Sequence, residues 1–260
     1  MSLRALLRRL PPDRAEVIVV DDRPAHDPPL RTPDWVRVVP GPARGPAAAR
    51  NAGWRATEAD WIVFLDEDVL PGPGWWEELQ ADLAQPESVA GVQARIVVPQ
   101  TSPNERSDWA VSTAHLSDAA WITADMAYRR SALEEVGGFD EGFPGGCRED
   151  TDLACRVRQS AGELVLGRRR TVHPARREGR WIGPRARRGN GLAGETQPRR
   201  RYGPGWHRRL GAARGGRRIH PLTAAAALVT VAFGVGALFV FARRRNSPAG
   251  SLPEPAQGFP

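Results

Sequence analysis

The sequence predicts an α/β domain in which a mixed, mostly parallel sheet is flanked by helices, followed by one C-terminal transmembrane helix. Over residues 1–175, short apolar runs rich in β-branched residues alternate with amphipathic stretches, which is typical of βαβ units. Two of these apolar runs end in acidic residues. Residues 221–242 then carry no charge, and about 20 apolar residues suffice to cross a bilayer as a helix.

The elements of the first half follow from local patterns. The segment LRALLRRL predicts a helix, and AEVIVVDD and DWVRVVPG predict strands. The helix PAAARNAGWRAT and the strand DWIVFLDED come next, the latter with a fully apolar centre. A further helix is predicted in PGWWEELQADLA, where Pro73 near the first turn and early acids favour a helix start.

The second half continues the alternation. A strand is predicted in SVAGVQARIVV and a helix in SALEEVGGF, which ends in a Gly-Gly stop signal. The segment EDTDLACRVRQSA predicts a helix with acids at its N-terminus, and GELVLGRRRTVHP predicts short closing strands. Ligands bind beyond the carboxyl ends of strands in open α/β sheets, so the strand ends are the place to look for a site.

Charge is unevenly distributed along the chain. All 37 basic residues are arginine; residues 1–167 have a net charge of −10 and residues 168–218 a net charge of +15. Nucleic-acid binding by the basic stretch is disfavoured, because aromatics are sparse and no binding motif is recognised. Anionic lipid headgroups are the favoured partner of residues 176–220. The two cysteines are too few for a disulfide framework.

The uncharged stretch 221–242 is interpreted as a single-pass helix in the cell membrane, with a buried core helix as the alternative. Arginines flank it on both sides, and more of them precede than follow it. The positive-inside rule then leaves the preceding domain cytoplasmic. Residues 243–260 are predicted to be disordered.

Acidic clusters at two strand ends predict a cation site. Asp21 and Asp22 end one strand, and Asp66, Glu67 and Asp68 end another. Both clusters should therefore face one crevice, where Mg²⁺ or Mn²⁺ would be shared between carboxylates, water and substrate phosphate. The alternative for Asp68 is a helix N-cap, although the next helix is predicted to start only near Pro73.

Five motifs in order carry a family resemblance: VIVVDD, AAARNAG, WIVFLDEDVLPGPGWW, ADMAYRRSALEEVGGFDE and REDTDLACRV. Over residues 1–175 the chain resembles a family-2 glycosyltransferase of the GT-A fold. The resemblance implies transfer of a sugar, with inversion, from a nucleotide-diphosphate sugar to an acceptor hydroxyl. The acceptor would be a glycan, a lipid-linked molecule or a small molecule.

The resemblance also implies residue roles. Asp21, with Asp22 beside it, matches the acid that contacts the nucleotide base, and Arg50 matches an arginine near the nucleotide. Asp66 and Asp68 match the D-x-D that holds ribose and the metal–diphosphate. His173 lies where many members place a histidine near the metal, although a lone histidine is as often structural.

Asp150, in the Glu149–Asp150 pair, matches the family's catalytic base. A hydroxyl nucleophile must lose its proton as it attacks, and a carboxylate within hydrogen-bond reach can accept it. Departing diphosphate needs a cation for its developing charge. Acids at this position also favour a helix N-terminus, and the two roles are compatible.

Three departures from the family pattern affect activity more than fold. Members begin with a strand of the type V-S-V-V-I-P, whereas this chain begins at the following helix, so the centre of the sheet is expected to lack a strand unless the true start lies upstream. The family's D-D-G-S is Asp21-Asp22-Arg23-Pro24 here, and Asp125 replaces a usual Asn.

A catalytically inactive, membrane-bound family member that acts as a binding or scaffold protein is therefore the alternative function. A sugar nucleotidylyltransferase is disfavoured, because G-x-G-x-R is absent.

Overall fold

The computed structural model describes residues 3–99, 117, 120–143, 148–173 and 237–242 of the 260-residue chain. Its helices are α1 (Leu3–Leu7), α2 (Pro46–Arg55), α3 (Trp75–Leu83), α4 (Arg130–Val136) and α5 (Glu149–Ser160). Its strands are β1 (Glu16–Asp21), β2 (Val36–Pro40), β3 (Trp61–Leu65), β4 (Leu70–Pro71), β5 (Val89–Val97), β6 (Asp125–Arg129), β7 (Glu163–Val172) and β8 (Ala237–Ala242). The predicted alternation of strands and helices is confirmed, and β6 is a strand that the sequence pattern did not indicate.

The described strands form one mixed sheet in the order β2-β1-β8-β3-β6-β5-β7-β4. Neighbouring strands are parallel in the pairs β1–β2 and β5–β7 and antiparallel in the others. The mostly parallel pairing predicted from βαβ units is thus wrong, because β8 and β6 run antiparallel between strands of the other direction. Strands β1, β3 and β7 nevertheless run the same way, so their carboxyl ends share one edge.

Strand β8 occupies the centre of the sheet. It pairs antiparallel with β1 on one side, from Glu16↔Ala242 to Asp21↔Ala237, and with β3 on the other. The central position expected to lack a strand is therefore filled in this structure. Without β8, the strand that ends at Asp21 would have no backbone link to the strand that ends at Leu65.

The predicted transmembrane helix differs from the structure at its carboxyl end. Residues 221–236 lie outside the described residues, but Ala237–Ala242 form β8 instead of helix. Across the parts of the chain that the structure describes, no helix is both long and apolar enough to span a bilayer. A short uncharged run suits a buried central strand as well as a membrane helix, and periodicity alone does not separate the two. The predicted Arg-rich segment 176–220 and tail 243–260 also lie outside the described residues.

Helices cover both faces of the sheet, as the sequence predicts. Val17 and Val19 of β1 pack with α1 and α3, while Ile18 and Val20 pack with α2, α4 and α5. All four side chains are buried. This alternation follows from the two-residue period of a strand, and burial on both faces explains why β1 is continuously apolar.

The end of α4 holds the loop that follows it against α2. Gly137 caps the helix in the left-handed conformation (φ 75°), as the Gly-Gly stop predicts. Gly138 also has positive φ, and a Cβ there would lie 2.5 Å from Asn51 Oδ1. Asn51 donates to the carbonyl of Phe139 and accepts from its amide, at 2.9 Å each. Glycine at 138 therefore lets the loop approach α2 closely.

Candidate active site

A buried arginine lies among the acids at the carboxyl edge of the sheet. Arg50 of α2 is fully buried; its Nη2 donates to Asp66 Oδ1 at 3.0 Å and its Nη1 donates to Glu149 Oε1 at 2.6 Å. Phe139 packs its ring against the guanidinium, 5.5 Å from centroid to Cζ. Arg50 thus joins the acidic loop after β3 to the N-terminus of α5.

Electrostatics favour the charged form of Arg50. Burial would lower the pKa of Arg50, but the negative charges of Asp66, Glu149 and Asp150 outweigh it and raise that pKa. The side chain has no exposed surface, and its position near the nucleotide stays a prediction. Arg50 orients the acids that line the site.

The second acid of the D-x-D motif lies next to the predicted histidine. His173 follows β7, and its Nε2 is 3.7 Å from Asp68 Oδ1. Both side chains are largely buried, and the His173 amide donates to the carbonyl of Val97 at 2.9 Å. The N-cap alternative for Asp68 is wrong, because α3 begins at Trp75 with Gly74 as its N-cap. Asp68 and His173, distant in sequence, form one polar pair.

Glu149 and Asp150 begin α5 on the other side of Arg50. Glu149 is buried, and its Oε2 has no hydrogen-bond partner among the residues that the structure describes. Burial, together with the negative charge of Glu149, raises the pKa of Asp150 to about 6. The Thr151 amide donates to Asp150 Oδ1 at 2.7 Å. A carboxylate with such a pKa can still accept a proton near neutral pH, which suits a general base.

The acids that end β1 are already engaged within the protein. Arg23 donates through Nε and Nη2 to the two oxygens of Asp21, at 2.8 and 2.7 Å, and His26 Nδ1 lies 3.4 Å from Asp21. The hydrogen bond from Arg23 is the largest cause that lowers the pKa of Asp21. Arg23 stands where the family pattern has glycine, so this pair is a consequence of that departure.

The Asp22 carboxylate is hydrogen-bonded to the backbone of the loop that precedes α2. It accepts from the amides of Ala43 and Gly45, at 2.6 and 2.8 Å, just before α2. This arrangement anchors the loop that leads into the helix carrying Arg50. Each Asp22 oxygen keeps a second lone pair, so the nucleotide contact of Asp22 stays a prediction.

A divalent cation fits one part of this site. Among the described residues, no group of three or more His, Cys, Asp or Glu side chains is placed to hold a metal ion. Asp68 and His173 supply two ligand atoms of types that Mn²⁺ accepts, and Mg²⁺ or Mn²⁺ commonly takes one or two protein ligands plus substrate phosphate and water. Asp66, the third predicted ligand, is instead bonded to Arg50.

Sequence reasoning missed a buried network behind the acidic loop. Arg169 of β7 is fully buried and bonds Asp82 and Asp125, both at 2.9 Å. The run Arg168–Arg170 is therefore part of a strand, and its middle residue lies in the core, not on a basic surface. Alternation of exposed and buried positions along β7 was the signal that could have revealed it.

Comparison with known families identifies relatives of the chain. The model of glycosyl transferase family 2 matches residues 2–143. A pre-mycofactocin glycosyltransferase of Mycobacterium tuberculosis is 37% identical over 168 residues, which cover 57% of this chain and 35% of that protein. The O-antigen biosynthesis protein RfbC of Myxococcus xanthus is 29% identical over 137 residues, covering 50% of this chain and 10% of RfbC. The chain thus spans about a third or less of the length of these relatives.

A solved structure shows the same fold. GalNAc-T7, determined with UDP, GalNAc and Mn²⁺, superimposes with a TM-score of 0.53 over 86% of this chain and 50% of that chain. Sequence identity is 17%, so the likeness concerns the fold alone. Together with the family match, it identifies the helix-flanked mixed sheet as GT-A-like.

Proposed function

The chain belongs to glycosyl transferase family 2, and from this membership we propose that it transfers a sugar from a nucleotide-diphosphate sugar to an acceptor hydroxyl. The proposal is supported most directly by the position of Arg50 between two acidic groups at one edge of the sheet. Asp66 lies on one side of it and Glu149, next to Asp150, on the other. Asp68 and His173 make a third polar group near Asp66.

Asp150 acts in this proposal as the general base. It would accept the proton of the acceptor hydroxyl as that oxygen attacks the anomeric carbon, which leads to inversion of configuration. Desolvation keeps the pKa of this carboxyl high enough, at about 6, for proton transfer to be efficient. Glu149 stays bonded to Arg50 and holds the start of α5 in place.

Asp68 and His173 hold the divalent cation, Mg²⁺ or Mn²⁺, in the same proposal. When bound, the cation supplies positive charge to the departing diphosphate. Arg50 keeps Asp66 beside this pair, where Asp66 would contact the ribose of the donor. Solved GalNAc-T7 contains UDP and Mn²⁺, which supports this class of donor and cofactor.

Calorimetric titration of the full-length chain with UDP and GDP, with and without Mn²⁺, tests the proposal. We expect binding of at least one nucleotide to require the metal, and Asp68→Ala to abolish it. Glu77→Ala is the matched control, because Glu77 is an exposed acid of α3 outside the site. Equal nucleotide binding with and without Mn²⁺, or by Asp68→Ala, would contradict the proposed donor site.

A second candidate is a family member that binds without catalysis. The specific observation in its favour is the Asp21–Arg23 pair, in which both oxygens of the acid are engaged by the protein itself. This candidate predicts that a screen of UDP- and GDP-sugars gives no turnover even where Mn²⁺-dependent nucleotide binding is intact. Release of UDP or GDP by wild type, lost in Asp150→Asn, would exclude it.

Attachment to the membrane remains a prediction for residues 176–242, of which the last six form β8 in this structure. We propose that the Arg-rich segment 176–220 contacts anionic lipid and brings the site near a lipid-linked or other envelope acceptor. Vesicles of phosphatidylglycerol and phosphatidylcholine, sedimented with the full-length chain, test this contact. Binding that is independent of the anionic fraction and of salt would contradict it.

A further inference from the structure

A buried charged network lies directly behind the acidic loop. Asp125, at the start of β6, is fully buried and accepts hydrogen bonds from three side chains: Arg169 Nε at 2.9 Å, Trp75 Nε1 at 2.6 Å, and the Thr171 hydroxyl. Arg169 also bonds Asp82 and the carbonyl of Val92. The network thus holds two carboxyl groups and one guanidinium, all three buried.

Each partner of Asp125 belongs to a segment that places a proposed metal ligand. Asp125 is the register partner of Leu65, the residue before Asp66. Trp75 begins α3, which follows the β3–β4 loop that carries Asp68 and the short strand β4. Thr171 lies two residues before His173. A single carboxylate therefore bonds both segments that supply Asp68 and His173.

Backbone contacts connect the same segments. Pro71 pairs with Thr171, and Gly72 donates its amide to the carbonyl of Arg170 at 2.9 Å. Asp66 donates its amide to the carbonyl of Ala124 at 3.3 Å. The segment 66–74, which includes β4, is thus attached to the residue before β6 and to β7.

A buried charged network of this kind defines the positions of its partners more than it stabilises the fold. A buried ion pair often adds little net stability, since desolvation offsets much of the attraction. Hydrogen bonds to a carboxylate are nevertheless directional and charge-assisted, so they define positions closely. Groups that hydrogen-bond directly to metal ligands change metal affinity by about 10–100-fold when removed, and we expect Asp125, one step further from the ligands, to act at the lower end of this range.

We propose that Asp125, held by Arg169, is a positioning residue that sets the separation of the Asp68 carboxylate and the His173 imidazole. The metal role of that pair rests on the proposed function, but the positioning itself does not. Asp125 reaches His173 through Thr171 and β7, and it reaches Asp68 through Trp75 and the segment 66–74. Asp125 therefore positions both ligands without direct contact with either of them.

The test compares Asp125→Asn and Thr171→Val with Leu79→Ala. Asn is usual in the family at this position, but in this chain three side chains donate to residue 125. In Asp125→Asn the amide nitrogen would face the indole N–H of Trp75, donor against donor, if the oxygen stays with Arg169. Thr171→Val removes one hydrogen bond with little change of volume. Leu79 is a buried residue of α3 that makes none of these hydrogen bonds, so Leu79→Ala lowers stability by opening a cavity and keeps every donor and acceptor of the network.

The first readout is the ring NMR signal of His173 in the metal-free, full-length chain, assigned with His173→Gln. We expect Asp125→Asn and Thr171→Val to shift this signal and Leu79→Ala to leave it in place. An unmoved His173 signal in folded Thr171→Val and Asp125→Asn, or an equal shift in Leu79→Ala, would overturn the proposal. If Asp125→Asn does not fold, the His173 signal in Thr171→Val and Trp75→Phe tests the positioning role instead.

The second readout is Mn²⁺ affinity, followed by electron paramagnetic resonance in the presence of UDP or GDP. We expect Asp125→Asn to bind Mn²⁺ about tenfold more weakly, and Asp125→Asn with Trp75→Phe to recover part of this loss. Unchanged affinity would overturn the link to the metal. A wild-type chain that binds no Mn²⁺ would refute the proposed function, and the NMR result would still decide the positioning role.

Discussion

Arg50 Nη1 lies 2.6 Å from Glu149 Oε1, although the two residues are separated by 99 positions in the sequence. Both side chains are buried, and the other arm of Arg50 reaches Asp66. One guanidinium therefore fixes the distance between the acids after β3 and the acids that begin α5. Activity and stability should both depend on this guanidinium, and the two effects can be measured separately.

Replacement of Arg50 should destabilise the protein strongly. Arg50→Met would leave Glu149 buried without its partner, and loss of one member of a buried ion pair costs about 3–5 kcal/mol. Urea unfolding of the full-length chain measures this free energy. Arg55→Met is the matched control, because Arg55 lies on the same helix with 52% of its side chain exposed, and we expect a change below about 1 kcal/mol. Similar losses for both variants would contradict the bridging role of Arg50.

Asp150→Asn should abolish turnover while stabilising the fold at neutral pH. The pKa of Asp150 is raised from 3.8 to about 6, so its ionised form costs folding free energy above that pKa. This cost corresponds to about 1–3 kcal/mol and vanishes below the unfolded pKa. We therefore expect the variant to be more stable than wild type at pH 8 and equally stable near pH 4. A stability difference that does not change with pH would refute the raised pKa.

The pH dependence of turnover provides a separate check on Asp150. Because the base must be ionised, kcat/KM should fall as the pH drops through about 6. A steady-state profile with any sugar nucleotide that turns over measures this. A profile that stays flat down to pH 5 would assign the base to another group.

Arg23→Ala should strengthen nucleotide binding. Arg23 now engages both oxygens of Asp21, and its removal frees them to accept an N–H of the base. One hydrogen bond to a charged acceptor is worth about 1.5 kcal/mol or more, so we expect about a tenfold gain in affinity for UDP or GDP by calorimetry. Arg31→Ala, at an exposed arginine of the following loop, is the control. Weaker binding by Arg23→Ala would mean that Arg23 itself contacts the nucleotide.

Removal of residues 237–260 should destabilise the sheet. Strand β8 is the backbone link between β1 and β3, and its loss exposes the hydrogen-bonding edges of both. Several backbone hydrogen bonds at about 1 kcal/mol each correspond to a fall in Tm of more than about 10 °C. The chain that lacks only residues 243–260 is the control and should keep its Tm. An unchanged Tm without β8, with weaker vesicle binding, would instead favour the membrane helix.

Local sequence patterns were enough to predict most elements, whereas the roles of the site residues stay a prediction. Acids at the ends of two apolar strands indicated a shared edge, and β1 and β3 do end there because they run in the same direction. Antiparallel β6 was not predicted, since a short strand directly before α4 has no turn signal of its own. Residues 237–242 were predicted to lie in a membrane helix, because uncharged apolar residues are equally suited to a bilayer and to the interior of a sheet.

The sequence by itself determined the α/β class, the family and the identity of the acids, since periodicity and ordered motifs depend only on neighbouring residues. Only the tertiary structure decided which partner each acid has. Asp66 bonds Arg50, Asp68 lies by His173, Asp21 bonds Arg23, and Asp125 bonds Arg169. Three of these pairs join separate elements of the sheet and its helices. Burial removes water as a competing partner, so these long-range pairs, which no local pattern encodes, set the charge and geometry of the site.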